Sequence, residues 1–207
     1  METWSALALG FGLGLRHATD ADHVAMVATL VQRSPGLAAG ARIAALWGLG
    51  HSLTFVCLGL GLICFGLRAP PRFDQAADVL VGVMLLMLGA WHLARQVVAT
   101  PRAAIQPVAQ HGAAARPVLI GLVHGLAGSA GIALWASTTI TGTTWAVAYL
   151  LLHALGTLLG MVLLTLVIAP PLAWTLRRPR WQSSLSIVAA LLNLGLGVAF
   201  LWVAWRR

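Results

Sequence analysis

The sequence predicts an all-α integral membrane protein of about six transmembrane helices, arranged as two inverted repeats of three. Three observations carry that expectation. Of 207 residues, 59% are hydrophobic and only 9% charged, where a soluble domain carries about 25%. Mean hydropathy is +0.88. Apolar runs of about 20 residues, the length that crosses a bilayer core as a helix, recur along the chain with turn-forming connections between them.

The first run, 4–31, is longer than a straight span needs and carries Arg16-His17-Ala18-Thr19-Asp20-Ala21-Asp22-His23 near its middle. The turn signal Ser34-Pro35-Gly36 leads to a second run, 42–67, which holds Gly48-Leu49-Gly50-His51-Ser52 and ends before Pro70-Pro71. A third covers 74–99. The stretch 100–116, with Ala, Gln, Pro and a solvated His111, reads as a linker between repeat one (about 4–99) and repeat two (about 117–207). Runs 117–140, 143–169 and 183–205 complete a single transmembrane domain over 1–207. Trp4, Trp145, Trp174, Trp181, Trp202 and Trp205 lie near segment ends, where interfacial belts form. Cys57, Cys64 and the methionines read as core, and the cysteines, seven helical residues or about 10 Å apart, are too distant to bridge. Glu2 stands where a signal peptide would be basic, so the first run reads as a retained span.

All 13 basic residues are arginines, against five acidic ones, a net charge of +8. They sit at the ends of apolar runs, which argues for topology signals and against nucleic acid as a partner. The connections after helices one, three and five hold eight of them (Arg33, Arg42, Arg95, Arg102, Arg116, Arg177, Arg178 and Arg180) and the other side four (Arg68, Arg72, Arg206 and Arg207). The richer side is expected in the cytoplasm, with both termini outside.

Gly14-Leu15-Arg16-His17-Ala18 is echoed in Gly121-Leu122-Val123-His124-Gly125, and Gly50-His51-Ser52-Leu53 more loosely in Leu152-His153-Ala154-Leu155. Halves of three helices must face the membrane in opposite senses, the pattern of secondary transporters with a polar site at mid-depth.

Ionised side chains at bilayer depth cost at least about 2.5–3.5 kcal/mol each, so two aspartates, an arginine and two histidines within eight residues require a reason. Imidazole with carboxylate describes a site for a borderline divalent cation such as nickel, cobalt or zinc; magnesium or calcium would call for oxygens alone. The candidate ligands are His17, Asp20, Asp22, His23 and His51. On a regular helix turning about 100° per residue, His17, Asp20 and His23 fall within about 120° while Asp22 points elsewhere. Either Asp22 orients a ligand, or the helix unwinds there, eased by Gly10, Gly12 and Gly14. Arg16 lies four residues before Asp20 and would neutralise it in the empty site; Ser52 adds an oxygen beside His51. His124 and His153 are candidates for the pathway through the second half. His92, Ser129, Thr138, Thr139 and Asn193 read as interhelical hydrogen-bonders.

Arg16–His23 resembles the signature of the nickel/cobalt transporter family, in which His17, Asp22 and His23 form the His-x4-Asp-His pattern with Asp20 between. Gly48–Ser52 is similar to that family's second motif, Leu-Gly-His-Ser. The resemblance implies uptake of Ni²⁺ or Co²⁺ across the bacterial cytoplasmic membrane, the ion being substrate and no cofactor being held. Family members are larger and carry the motif on their second helix; here it is on the first, as in a short, urease-associated branch. The expected function is thus a permease for these ions with no enzymatic step, its oligomeric state open. Inward movement of a divalent ion is favoured by about 4.6 kcal/mol per 100 mV, and no phosphate-binding glycine loop is present. Efflux of the same ions is the nearest alternative. Haem held by paired histidines such as His51 and His153, and an intramembrane serine hydrolase using Ser129, leave the helix-one cluster unexplained.

Imidazole binds metal only when neutral, so protons compete with the ion. The Ni²⁺ affinity of the purified protein is expected to fall at least about tenfold from about pH 7.5 to about pH 5.5. A flat titration would contradict histidine ligation.

Overall fold

The first apolar run is not one straight helix. In the computed structural model, which describes residues 3–31, 36–65, 72–98, 114–126, 140–176 and 179–207, it divides into α1 (Thr3–His17) and α2 (Ala21–Val31). The backbone shows how. Thr19 N–H bonds the Arg16 carbonyl and Asp20 N–H that of His17, three residues back rather than four, and Thr19 Oγ1 donates to Arg16 O at 2.6 Å. Helical spacing resumes where Val24 N–H reaches Asp20 O. Residues 18–20 thus form a tight turn, and Asp20 and Asp22 fall at the electropositive start of α2, where carboxylates are favoured.

The other elements are α3 (Leu37–Phe65), α4 (Phe73–Val98), α5 (Ala115–His124), α6 (Thr143–Leu176) and α7 (Pro179–Arg206). The described residues contain no strand. Four segments, Leu37–Phe65, Phe73–Ala94, Thr143–Thr175 and Ser183–Arg206, are long and apolar enough to cross a bilayer, making the chain a multi-pass helical membrane protein. They coincide with four of the six expected runs. Of the other two, 4–31 is broken as described, and 117–140 begins as α5, which ends at His124 with the Gly125 N–H capping Gly121 O at 2.8 Å. Residues 127–139 lie outside the described set, and with them Ser129, Thr138 and Thr139; so do 99–113, including most of the linker and His111, and Arg33, Arg68, Arg102, Arg177 and Arg178.

The helices pack in four close pairings: α1 on α6, α3 on both α5 and α6, and α4 along α7. Glycine permits two of these crossings. A Cβ on Gly14 would collide with the His153 carbonyl and the Thr157 amide; one on Gly156 would strike Phe11 O and Leu15 N. The α3/α5 crossing is built alike, Gly121 lying against Trp47 O and His51 N, and Gly50 against Val118 O and Leu122 N. Small residues that bring backbones into contact are the usual adhesive of membrane helices. By these contacts Gly14 corresponds to Gly121, as the sequence echo has it, but Gly50 corresponds to Gly156. That register sets His51 against Thr157, where the echo sets it against His153. At the far ends of α4 and α7, Arg207 pairs with Asp78 at 3.0 Å and Gln75 Nε2 donates to Ala204 O.

Trp47, Met26, Leu85 and Met161 fill the interior. Cys57 and Cys64, expected in the core, are exposed, as is Met87. In a bilayer an outward apolar side chain meets lipid as readily as an inward one meets protein, so hydrophobicity did not mark the buried face.

Since a Cβ at Gly121 has only backbone to displace, Gly121→Ala is expected to cost at least about 1–3 kcal/mol of stability and to lower the thermal unfolding midpoint in detergent. Gly12→Ala, with nothing within 4 Å of the added carbon, should leave the midpoint unchanged or raise it. Equal behaviour of the two variants would contradict the packing.

Candidate metal centre

The helix break brings four histidines together. His17 is the last residue of α1, His23 lies in the first turn of α2, His51 is at the midpoint of α3 and His124 is the last residue of α5. None is more than 8% exposed. Their rings nearly touch, with centroids 4.4 Å apart for His17 and His23, 4.8 Å for His23 and His124, 5.1 Å for His23 and His51, and 5.3 Å for His17 and His51. With His51 halfway along a bilayer-spanning helix, the cluster sits at mid-depth. The carbonyl-bearing ends of α1 and α5 and the amide-bearing start of α2 all meet here.

Two carboxylates set the direction of the ring nitrogens. His17 Nδ1 lies 2.8 Å from Asp20 Oδ2, His23 Nδ1 3.0 Å from Asp22 Oδ1, and His124 Nε2 3.1 Å from Asp22 Oδ2. A carboxylate only accepts, so in neutral rings these nitrogens carry the protons and the lone pairs are on the opposite edges. That leaves lone pairs at His17 Nε2, His23 Nε2 and His124 Nδ1. His17 Nε2 faces His51 Nε2 at 3.3 Å. His23 Nε2, His51 Nδ1 and His124 Nδ1 are buried without a partner, a costly condition for polar atoms unless something else satisfies them.

The donors fall into two groups, His17/His23/His51 and Asp22/His23/His124, in each of which one ligand atom per residue lies within 4.8 Å of the others. A nitrogen–metal bond is about 2.0–2.1 Å, so two nitrogens on one tetrahedral ion stand about 3.3 Å apart. The His17–His51 separation matches that span. Carboxylates behind the imidazoles are the usual outer partners of metal-binding histidines.

The structure treats the remaining candidates unequally. Asp20 is exposed, 53% by side chain, and enters neither group; it holds His17 from outside. Arg16 is exposed and makes no ion pair with Asp20, contrary to expectation, because α1 ends at His17 and the intervening turn abolishes the i,i+4 neighbourhood. Ser52 Oγ donates to Ala154 O at 3.2 Å and so joins α3 to α6 instead of adding an oxygen to the cluster. His153 is buried one layer away, its ring stacked 6.2 Å from His17 and near Phe55 and Tyr149. His92 is buried on α4. Asn193 donates to Thr29 Oγ1 at 2.7 Å, bridging α7 and α2.

Trp47 was not evident from sequence. It is fully buried, its ring 5.3 Å from His23 and 5.6 Å from His124. The available signal was its position one helical turn before His51. Trp47, His51 and Phe55 mark three levels along α3, each about 6 Å from the next.

These features define a class, a polytopic helical membrane protein with a histidine- and carboxylate-lined interior at a helix break. Comparison with known proteins narrows it. The chain is 26% identical over 207 residues, spanning 96% of this chain and 91% of the relative, to the urease accessory protein UreH of Bacillus sp. (strain TB-90). That similarity bears out the resemblance carried by the motifs, to a short, urease-associated branch of the nickel/cobalt transporter family. No family model matches the chain, and no solved structure does.

Proposed function

We propose that this protein is a secondary transporter or facilitator that takes up Ni²⁺, Co²⁺ or both across the bacterial cytoplasmic membrane. The observation that carries the reading is the convergence of His17 Nε2, His23 Nε2 and His51 at mid-depth, two of the three rings fixed from behind by a carboxylate. Three neutral imidazoles that converge this closely can each offer a lone pair to a divalent ion, which would take the place of the His17–His51 hydrogen bond at 3.3 Å. Ligands of this kind suit nickel, cobalt and zinc. The family resemblance and the likeness to a urease accessory protein favour nickel and cobalt.

Two further features support movement over storage. The ligands straddle a broken helix, the construction by which transporters form an ion site without leaving backbone unsatisfied in lipid. The matched glycine crossings, α1 on α6 and α3 on α5, support a pair of inverted repeats that rock about the site. With the arginine-rich connections in the cytoplasm, both termini lie outside and the membrane potential drives the ion inwards, by about 4.6 kcal/mol per 100 mV for two charges.

The test is accumulation of radioactive Ni²⁺ and Co²⁺ by cells producing the protein. His17→Ala, His51→Ala and Asp22→Asn are expected to abolish it. Asp20→Asn, which loosens only the His17 ring, is expected to weaken metal affinity about 10–100-fold without eliminating it. Accumulation by all variants at the wild-type level would refute the function.

A further inference from the structure

A second convergence of donors lies beside the three-histidine position. Asp22 and His23 come from α2 and His124 from the end of α5, in the other half of the chain. His124 is 1% exposed, and its Nδ1 is buried without a partner. Trp47 walls this group, touching both His23 and His124, and its own Nε1 is likewise unpartnered. His124 Nε2, by contrast, lies 3.1 Å from Asp22 Oδ2.

The group adjoins the first position, the His124 ring lying 4.8 Å from that of His23 and 5.8 Å from that of His51. Trp47 stands one turn before His51 on α3, about 6 Å nearer that helix's N-terminus, and Gly125, next to His124, abuts the His51 backbone. His23 is common to both groups, its Nδ1 on the Asp22 side and its Nε2 on the other, so a single ring separates the two positions.

We propose, building on the transport reading above, that Asp22, His23 and His124 form a second position for the same divalent ion, to which it passes from His17, His23 and His51. On arrival the ion replaces the two N–H···O bonds to Asp22 by metal–oxygen and metal–nitrogen bonds. Asp22 thereby changes from an orienting group into a ligand and offsets one of the ion's two charges. His23 and His124 stay neutral, each losing to water the proton on the nitrogen that binds and regaining one on the other. His124 is then needed for passage and is dispensable for capture.

The experiment compares initial Ni²⁺ uptake into proteoliposomes with equilibrium Ni²⁺ binding in detergent, both on the full chain. His124→Asn and His124→Gln, whose amides can still donate to Asp22, are expected to slow uptake at least about tenfold while shifting the dissociation constant less than about threefold. Retained binding also shows that the variants are folded. The proposal is overturned if both variants transport within about twofold of wild type, or if affinity falls in step with rate, which would make His124 part of a single site. Wild-type protein that binds no Ni²⁺ at all would instead overturn the transport reading on which this rests.

Discussion

The structure depends on what a bilayer does to Asp22. An ionised carboxylate at this depth is stable only if positive charge or hydrogen-bond donors surround it. Here each oxygen accepts one N–H, from His23 on one side and His124 on the other. Satisfying the carboxylate this way commits the two rings: the edges that face Asp22 carry protons, and the opposite edges do not. Asp20 commits His17 in the same manner. The outcome is a buried carboxylate met by neutral rings, whose hydrogen bonds turn a lone pair to the edge away from each carboxylate. A charge imbalance of this kind is what a site for a transient guest requires.

Backbone geometry follows from that requirement. His17, Asp22 and His23 cannot all converge from one regular helix, and the turn at 18–20 solves this by resetting the phase between His17 and His23. The released carbonyls and amides are partly recovered by the i+3 bonds and by Thr19. His51 and His124 reach the same point because Gly121 and Gly125 let α5 lie directly on the α3 backbone. The glycine crossing and the ligand cluster are thus one construction, and a change to either is felt by the other.

Much of this was legible in the sequence because charge in an apolar run is hard to hide. The membrane class, the four long spans and the convergence of His17, Asp22, His23 and His51 all derive from that contrast. Position around the helix was harder. Angular reasoning on an unbroken helix put Asp20 with the ligands and Arg16 beside it, and both expectations rested on a geometry that the turn removes. Ser52 looked like a donor by adjacency, but its hydroxyl is taken up by Ala154 O across a helix pair that no local pattern reveals. Trp47 escaped notice since tryptophan in a membrane sequence usually signals an interface; only its one-turn spacing from His51 hinted at a buried role. Cys57 and Cys64 show the general difficulty, that lipid and protein interior ask for the same side chains.

The central claim is that three imidazoles at the helix break coordinate a divalent transition metal. X-ray absorption at the nickel edge on the purified, Ni²⁺-loaded protein addresses it most directly. The account requires nitrogen neighbours at about 2.0–2.1 Å with the outer-shell scattering of several imidazole rings, diminished when His51 is replaced by alanine. A spectrum of oxygen neighbours alone, without imidazole scattering and unaltered by that substitution, would contradict it.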